Sequence, residues 1–299
     1  MLSFLALPIA ALLDFLIGDP VGWLHPVQVM GWVIARSSEW LLSWAKGDRC
    51  QRLAGVGLGI ALVGGSGLVS WLMVEAAYGV HNWVGVGVES VLLASCLAAR
   101  SLRRAAEEVL RPLQAGDLAG ARSVLSRYVG RDTANLTAAE ILRATLETVT
   151  ENATDGVLAP LFYALLGAAL PGVGSVPLAM AYKAASTLDS MVGYREAPYT
   201  YLGWFSAKLE DGLTWVPCRL LVLSLALLSG RPQHVWTLCW RDAPQDPSPN
   251  SGWSECAYAA TLGVQVGGTN WYRGVAKHKP WLGDAVDPIT VQTINRALW

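Results

Sequence analysis

The chain has 299 residues, 53% of them hydrophobic against 15% charged, and a mean hydropathy of +0.36, which excludes an ordinary water-soluble composition. Its 22 Lys and Arg nearly cancel 23 Asp and Glu, so there is no global basic field to hold nucleic acid, and DNA or RNA is excluded as the main partner. Five Cys, an odd number with no C-x-x-C pair, exclude a secreted disulfide framework and read as reduced apolar fillers.

In chain order, residues 2–17 form an apolar stretch interrupted by Asp14. No basic segment precedes it and no small-residue cleavage site follows, so it is expected to be a mature membrane-associated helix. A polar turn with Asp14, Gly18, Asp19, Pro20, His25 and Pro26 comes next. Residues 53–99 contain no Lys or Arg and only Glu75 and Glu89 as acids, which predicts a transmembrane hairpin turning near Gly79, His81 and Asn82. Arg36, Lys46, Arg49 and Arg52 precede this hairpin and Arg100, Arg103, Arg104, Arg111 and Arg122 follow it, placing both flanks in the cytoplasm. Gly55, Gly59, Gly64 and Gly65 suit close helix packing in lipid; no Lys-Ser/Thr follows them, so they do not form a Walker-type phosphate loop.

Residues 100–151 change character, with 15 charged side chains among 52 residues and amphipathic periodicity, and read as a cytoplasmic helical insert. Helices are expected over 101–113 and 118–128, and a third starts at the capping box formed by Thr137 and Glu140. Residues 156–182 hold 27 positions without a charge, broken by Pro171, Gly172, Gly174 and Pro177, a pattern for two half-length membrane segments. The apolar run 220–229, flanked by Arg219 and Arg231, is too short to cross alone and is placed in the interface. Residues 231–299 read as a loop-rich, polar C-terminal region. Fourteen Trp against four Phe, many at the ends of apolar runs, fit interfacial belts. The expectation is an all-α, polytopic helical membrane protein, one integral domain over residues 1–299.

Carboxylates at the mouth of an uncharged run are costly unless they bind something. Glu147, Glu151 and Asp155 are spaced four apart, so a helix continuing through them presents hard oxygen ligands in one column suited to Mg²⁺ carrying phosphates, with Asn152 beside them. The alternative is that Asn152 and Asp155 merely finish a helix. At the far end of the run, Lys183 and Arg195 bracket Ser186, Thr187 and Asp189, which suits an anion site with Lys183 as point charge and Arg195 as bidentate clamp. A snorkelling Lys183 and an anchoring Arg195 are the bland alternative.

Read together, Asp14…Gly18-Asp19-Pro20…His25-Pro26, Glu151-Asn152…Asp155-Gly156…Ala159-Pro160-Leu161-Phe162-Tyr163, Tyr182-Lys183…Thr187-Leu188-Asp189-Ser190-Met191…Gly193-Tyr194-Arg195, Arg241-Asp242-Ala243, Ser248-Pro249-Asn250…Gly252-Trp253 and Lys279-Pro280…Gly283-Asp284 resemble adenosylcobinamide-phosphate synthase, the CobD/CbiB family of cobalamin biosynthesis. The resemblance covers nearly the whole chain in order and departs from the family's usual residues at Ala153 and Ser186. It implies ATP-dependent joining of adenosylcobyric acid, the corrinoid substrate, to aminopropanol phosphate or an ethanolamine phosphate analogue, through an acyl phosphate and with Mg²⁺. Glu151, Asn152, Asp155, Lys183 and Asp189 are then expected in catalysis. Asp14, Asp19, His25, Thr187, Arg195, Asn250, Lys279 and Asp284 are expected to bind substrate, and Glu147, Glu151 and Asp155 to hold metal. The implied setting is the bacterial inner membrane, with the lipid bilayer as partner, the motifs meeting on the cytoplasmic face, and a homo-oligomer compatible with it. Two alternatives stay open: a Mg²⁺-dependent intramembrane prenyltransferase-like enzyme, and a non-enzymatic sensor on the same scaffold.

Overall fold

The computed structural model describes residues 3–18, 22 and 25–298; Asp19, expected to bind substrate, lies outside them. The helices in chain order are α1 (Ala6–Leu16), α2 (Pro26–Trp44), α3 (Asp48–Val80), α4 (Asn82–Ala94), α5 (Ala99–Gln114), α6 (Leu118–Leu125), α7 (Ala138–Ala153), α8 (Ala159–Ala169), α9 (Ser175–Val192), α10 (Trp204–Leu228), α11 (Pro232–Asp242), α12 (Ser251–Leu262) and α13 (Val291–Ala297). One antiparallel hairpin, β1 (Val266–Tyr272) and β2 (Val275–Leu282), joins them. The protein is helical as its charge pattern demands, and three stretches are long and apolar enough to cross a membrane: Asp48–Val80, Asn82–Gln114 and Trp204–Leu228.

The chain divides into two compact units, the first made of Met1–Arg100 and Asp155–Thr214, the second of Ser101–Thr154 and Trp215–Trp299. In the first, α3 and α4 form the expected hairpin, turning at His81, whose Nδ1 accepts from the Trp83 amide at 3.2 Å. The acid in α4 is satisfied in place: buried Glu89 accepts from the Tyr78 hydroxyl at 2.7 Å and the Ser175 hydroxyl at 2.5 Å. Of the small residues, Gly55 and Gly59 meet close neighbours; a Cβ there would lie 2.0 Å from the Leu202 carbonyl oxygen and 2.6 Å from the Phe205 ring. Gly64 and Gly65 have nothing within 4 Å and face away from that contact. The uncharged run breaks as its Pro and Gly predict, between α8 and α9. Exposed Ile60, Leu68 and Leu72 on α3 give this unit an apolar outer face.

The second unit differs from the expectation of an insert plus separate loops, because residues from both stretches share one core. Leu146 and Val149 of α7 pack with Cys218 and Val222 of α10, Val235 and Leu238 of α11, and Cys256 and Ala260 of α12. The run 220–229 is therefore not a short interfacial segment; it belongs to a 25-residue helix whose second half contributes to this core. Arg219, the charge that seemed to interrupt it, stacks on Trp215 and Trp253 at 4.9 and 4.5 Å and donates to the Pro249 carbonyl at 3.0 Å. The C-terminal region is ordered as α11, α12, the hairpin and α13. The hairpin turn puts Arg273 and Gly274 both at positive φ, 51° and 76°, and the Asp132 carboxylate accepts from both of their amides at 3.0 and 2.8 Å. The capping box of α7 is present, with Thr137 and Glu140 bonded reciprocally.

Candidate functional site

Each unit gathers some of the sequence-nominated residues. In the first unit, His25 and Lys183 line one cleft of about 230 Å³ together with Gln28 and Ser95, although 158 positions separate them in sequence. Pro26 fixes the start of α2, and the His25 Nδ1 accepts from the Val27 amide at 3.3 Å, which sets the ring's orientation. On α9, Thr187 returns its hydroxyl to the Lys183 carbonyl at 2.7 Å. Asp189, six positions after Lys183 and two after Thr187 on the same helix, is half-buried, whereas Arg195 is exposed past the helix end. Asp14 is buried and accepts from the Ala99 amide at 3.1 Å, so its carboxylate caps the first turn of α5. That contact gives Asp14 a structural duty.

In the second unit α7 presents Glu147 and Glu151, but the expected column of three acids is not continuous. The α-helix ends at Ala153 and a π-turn spans Thr154–Leu158, so Asp155 lies outside the α-helix that carries Glu147 and Glu151. Glu147 is buried with both oxygens engaged: Oε2 meets Arg131 at 2.5 Å and Oε1 accepts from the Gly267 amide at 2.8 Å. Gly267 is needed for that approach, at φ 98° with a Cβ position only 2.1 Å from the Pro280 carbonyl oxygen. Arg131 and Arg143 also donate to the Asn270 side-chain oxygen at 2.8 and 3.2 Å. Glu147 thus ties the insert to the hairpin instead of facing an ion. Asn152 is exposed and donates back to the Thr148 carbonyl at 2.8 Å. Among the described residues no three His, Cys, Asp or Glu side chains gather that could hold a metal ion, so the nominated triad does not fit Mg²⁺ as a resident ligand set.

Beside Glu147 stands a cluster that sequence reasoning found only in part. Lys279 of β2 pairs with Glu255 of α12 at 2.5 Å and lies 3.8 Å from Asp246; Glu255 is fully buried and the Asp246 side chain is 5% exposed. Glu151 is within electrostatic reach of both Lys279 and Asp246. Its side chain is solvent-accessible. Burial is the main influence on Glu255 and, opposed by Lys279 but reinforced by Glu151 and Glu147, raises its carboxyl to about 8. Glu151 is also raised, first by desolvation and then by the neighbouring acids. Burial works against the Lys279 ammonium, yet Glu255, Glu151 and Asp246 outweigh it and hold the proton more tightly than in water. Glu255 and Asp246 were missed; the signal was present, because Glu255 is the one charge in the otherwise apolar α12.

The other nominated C-terminal residues sit around this cluster. Asn250 is buried and accepts from Arg219 at 3.3 Å. Asp284 pairs with Arg241 at 2.7 Å, while buried Asp242 holds Arg241 and accepts from the Gly283 amide at 2.9 Å. Arg241, Gln245, Gln265, His278 and Trp281 line a cleft of about 540 Å³.

A family model described as CobD/Cbib protein matches residues 7–299. The cobalamin biosynthesis protein CobD of Synechocystis sp. is 55% identical over 290 residues, covering 97% of this chain and 85% of that relative. The cobalamin biosynthesis protein CobD of Klebsiella pneumoniae is 44% identical over 301 residues, covering 99% of this chain and 92% of its own length. The cobalamin biosynthesis protein CbiB of Salmonella choleraesuis is 43% identical with the same coverage. No solved structure matches the chain.

Proposed function

This chain belongs to the CobD/Cbib family, and from that premise we propose that it serves cobalamin biosynthesis as an ATP-dependent ligase. It joins the free carboxyl of adenosylcobyric acid to the amine of aminopropanol phosphate, or of the ethanolamine analogue, and releases ADP and phosphate. A carboxylate is a poor electrophile; transfer of the ATP γ-phosphoryl group to it gives an acyl phosphate, and attack by the neutral amine forms the amide and expels phosphate. Magnesium enters as the ATP complex.

The observation that carries the reading is the convergence of His25 and Lys183 on one small cleft. Its size suits a phosphate group, Lys183 supplies a point charge, and His25 and Ser95 supply polar contacts around it. Thr187 and Asp189 stand on the same helix as Lys183 and complete the polar end of α9. The membrane setting excludes bulk water from part of the chain, which protects an acyl phosphate from hydrolysis.

Detergent-purified protein supplied with adenosylcobyric acid, Mg-ATP and aminopropanol phosphate is expected to form the amide with stoichiometric ADP release, read by mass spectrometry. Absence of product with authentic substrates across several detergents refutes the ligase reading.

A further inference from the structure

An irregularity in the hairpin shapes the cleft of about 540 Å³ in the second unit. Gly268 pairs with Lys279 but Val266 with Leu282, so β2 carries one extra residue between those pairs, a bulge. In a regular strand, residues three apart point to opposite faces. The bulge instead brings His278 and Trp281 to one side, where both line the cleft and their rings meet edge to face with centroids 6.4 Å apart. Gly268 leaves room for the indole, since a Cβ there would lie 2.5 Å from the Trp281 ring. Trp281 is thus packed on the glycine and still 49% exposed.

The polar groups of the cleft suit an uncharged ligand. Arg241 spends Nε and Nη2 on Asp242 and Asp284, so two carboxylates stand against one guanidinium and a phosphate gains no net attraction there. Asp242 is buried and also accepts from the Gly283 amide, which fixes this wall. Gln245 donates its carboxamide nitrogen to the Arg241 carbonyl at 3.1 Å, and Gln265 donates its own to the Gly283 carbonyl at 2.9 Å. Only the nitrogen end can make such a bond, so both carboxamides have a defined orientation. Among the described residues, both carboxamide oxygens are left as acceptors and Arg241 Nη1 as a donor. An aromatic wall with two acceptors, one donor and no net positive charge matches a flat ring that carries an exocyclic amine beside a ring nitrogen.

We propose that this cleft is a nucleobase site for an aminopurine of the adenine type. The ring stacks on Trp281, its amine donates to the Gln245 and Gln265 carboxamide oxygens, and a ring nitrogen accepts from Arg241 Nη1. The volume falls within the range of small-molecule clefts, about 300–1,000 Å³, and leaves room for the attached sugar. A 6-oxopurine sets a carbonyl against the two carboxamide oxygens and is disfavoured. Adenine occurs twice among the substrates, in ATP and in the adenosyl group of the corrinoid; that pair of sources rests on the ligase reading, whereas the base site rests on the cleft alone.

The test separates recognition from turnover. Calorimetry on the detergent-solubilised full chain compares adenosine with inosine, which carries a carbonyl where the amine stands. The unaltered protein is expected to bind adenosine about tenfold more tightly than inosine. Trp281→Leu should weaken both nucleosides at least about fivefold, and Trp281→Tyr, which keeps a stacking ring, should recover most of that loss. Gln245 is exposed, so Gln245→Leu leaves the fold intact, and it should narrow the preference for adenosine. In turnover, a rise in KM for ATP alone in Trp281→Leu assigns the base to the nucleotide. A rise in KM for the adenosyl corrinoid, but not for the corrinoid carrying cyanide in its place, assigns it to the adenosyl group. Equal or undetectable binding of the two nucleosides by the unaltered protein, a preference unchanged in Gln245→Leu, or Trp281→Leu with unaltered affinities overturns the inference, and ligation that persists in that case leaves the ligase reading intact. A preference for adenosine in a protein that forms no amide refutes the ligase reading and leaves the base site standing.

Discussion

Removing Arg131 should destabilise the protein more than most single substitutions. Arg131 and Glu147 are 10% and 2% exposed and 2.5 Å apart, so Arg131→Ala leaves a carboxylate in a site that water scarcely reaches. Breaking a buried ion pair by deleting one partner costs about 3–5 kcal/mol. Glu147 keeps the Gly267 amide as donor, which places the expectation near the lower end, about 3 kcal/mol. For a unit of this size that corresponds to a fall of about 6–12 °C in the unfolding midpoint. Fourteen Trp make intrinsic emission a convenient probe of heating in detergent. The paired change Arg131→Met with Glu147→Gln removes both charges and should recover more than half of the loss, since the damage comes from the orphaned carboxylate and not from the absent contact. An Arg131→Ala midpoint within about 1 °C of the unaltered protein, or a double variant no better than the single one, refutes the account of Glu147 as a buried tie between insert and hairpin.

Three further outcomes are expected. The Glu255 carboxyl is raised from 4.5 to about 8, so between those values the folded protein keeps a proton that the unfolded chain has released; that stabilisation is complete below 4.5 and lost as pH rises to 8, so the midpoint should fall between about pH 4.5 and 8, level off above that, and Glu255→Gln should flatten the slope. A flat profile in the unaltered protein would show that Glu255 does not titrate there. Lys183→Met keeps the apolar stem and removes the charge, and should raise KM for ATP or for the amino alcohol phosphate, whichever phosphate the His25 cleft receives; unchanged kinetics would return Lys183 to a snorkelling role. Single cysteines at Ser123, Ser190 and Ser251 in sealed vesicles should all react from the cytoplasmic side, as the Arg-rich flanks of the α3–α4 hairpin require, and labelling of Ser123 and Ser190 from opposite sides would end the proposal that the motifs serve one reaction.

The membrane part of this fold was legible because lipid writes its demands as missing charge. The α3–α4 hairpin, the α8–α9 break and the Thr137–Glu140 cap all followed from composition and spacing. The hairpin of β1 and β2 did not, because Gly267 and Gly268 at its start and Pro280 near its end imitate a loop, and only the backbone shows that the glycines form a bulge with φ near 90°. Helix α10 was underestimated because an Arg inside an apolar run looks like an end until two indole rings are found flanking it. The site was half legible. Glu151, His25, Lys183 and Lys279 were nominated from motif and position, but partnership is a tertiary property. Nothing local distinguishes Glu147, whose oxygens are spent on Arg131 and Gly267, from Glu151 one turn later. Glu255 could have been found by the same argument that found Glu151, since a lone acid in an apolar helix needs a partner.

The Glu147–Gly267 bond spans 120 residues, a separation that acquires a meaning in time when the chain leaves the ribosome. At about 5–20 residues per second, the insert waits roughly 6–24 s before the strand that completes it has been synthesised. During that interval Glu147 and Arg131 can pair with each other, but the amide that finishes the carboxylate's shell, and the α11 and α12 side chains that cover Leu146 and Val149, do not yet exist. The nascent second unit therefore exposes an apolar helix face until late in translation, and a chain cut short before the hairpin should be recognised by chaperones and proteases instead of persisting as a membrane fragment.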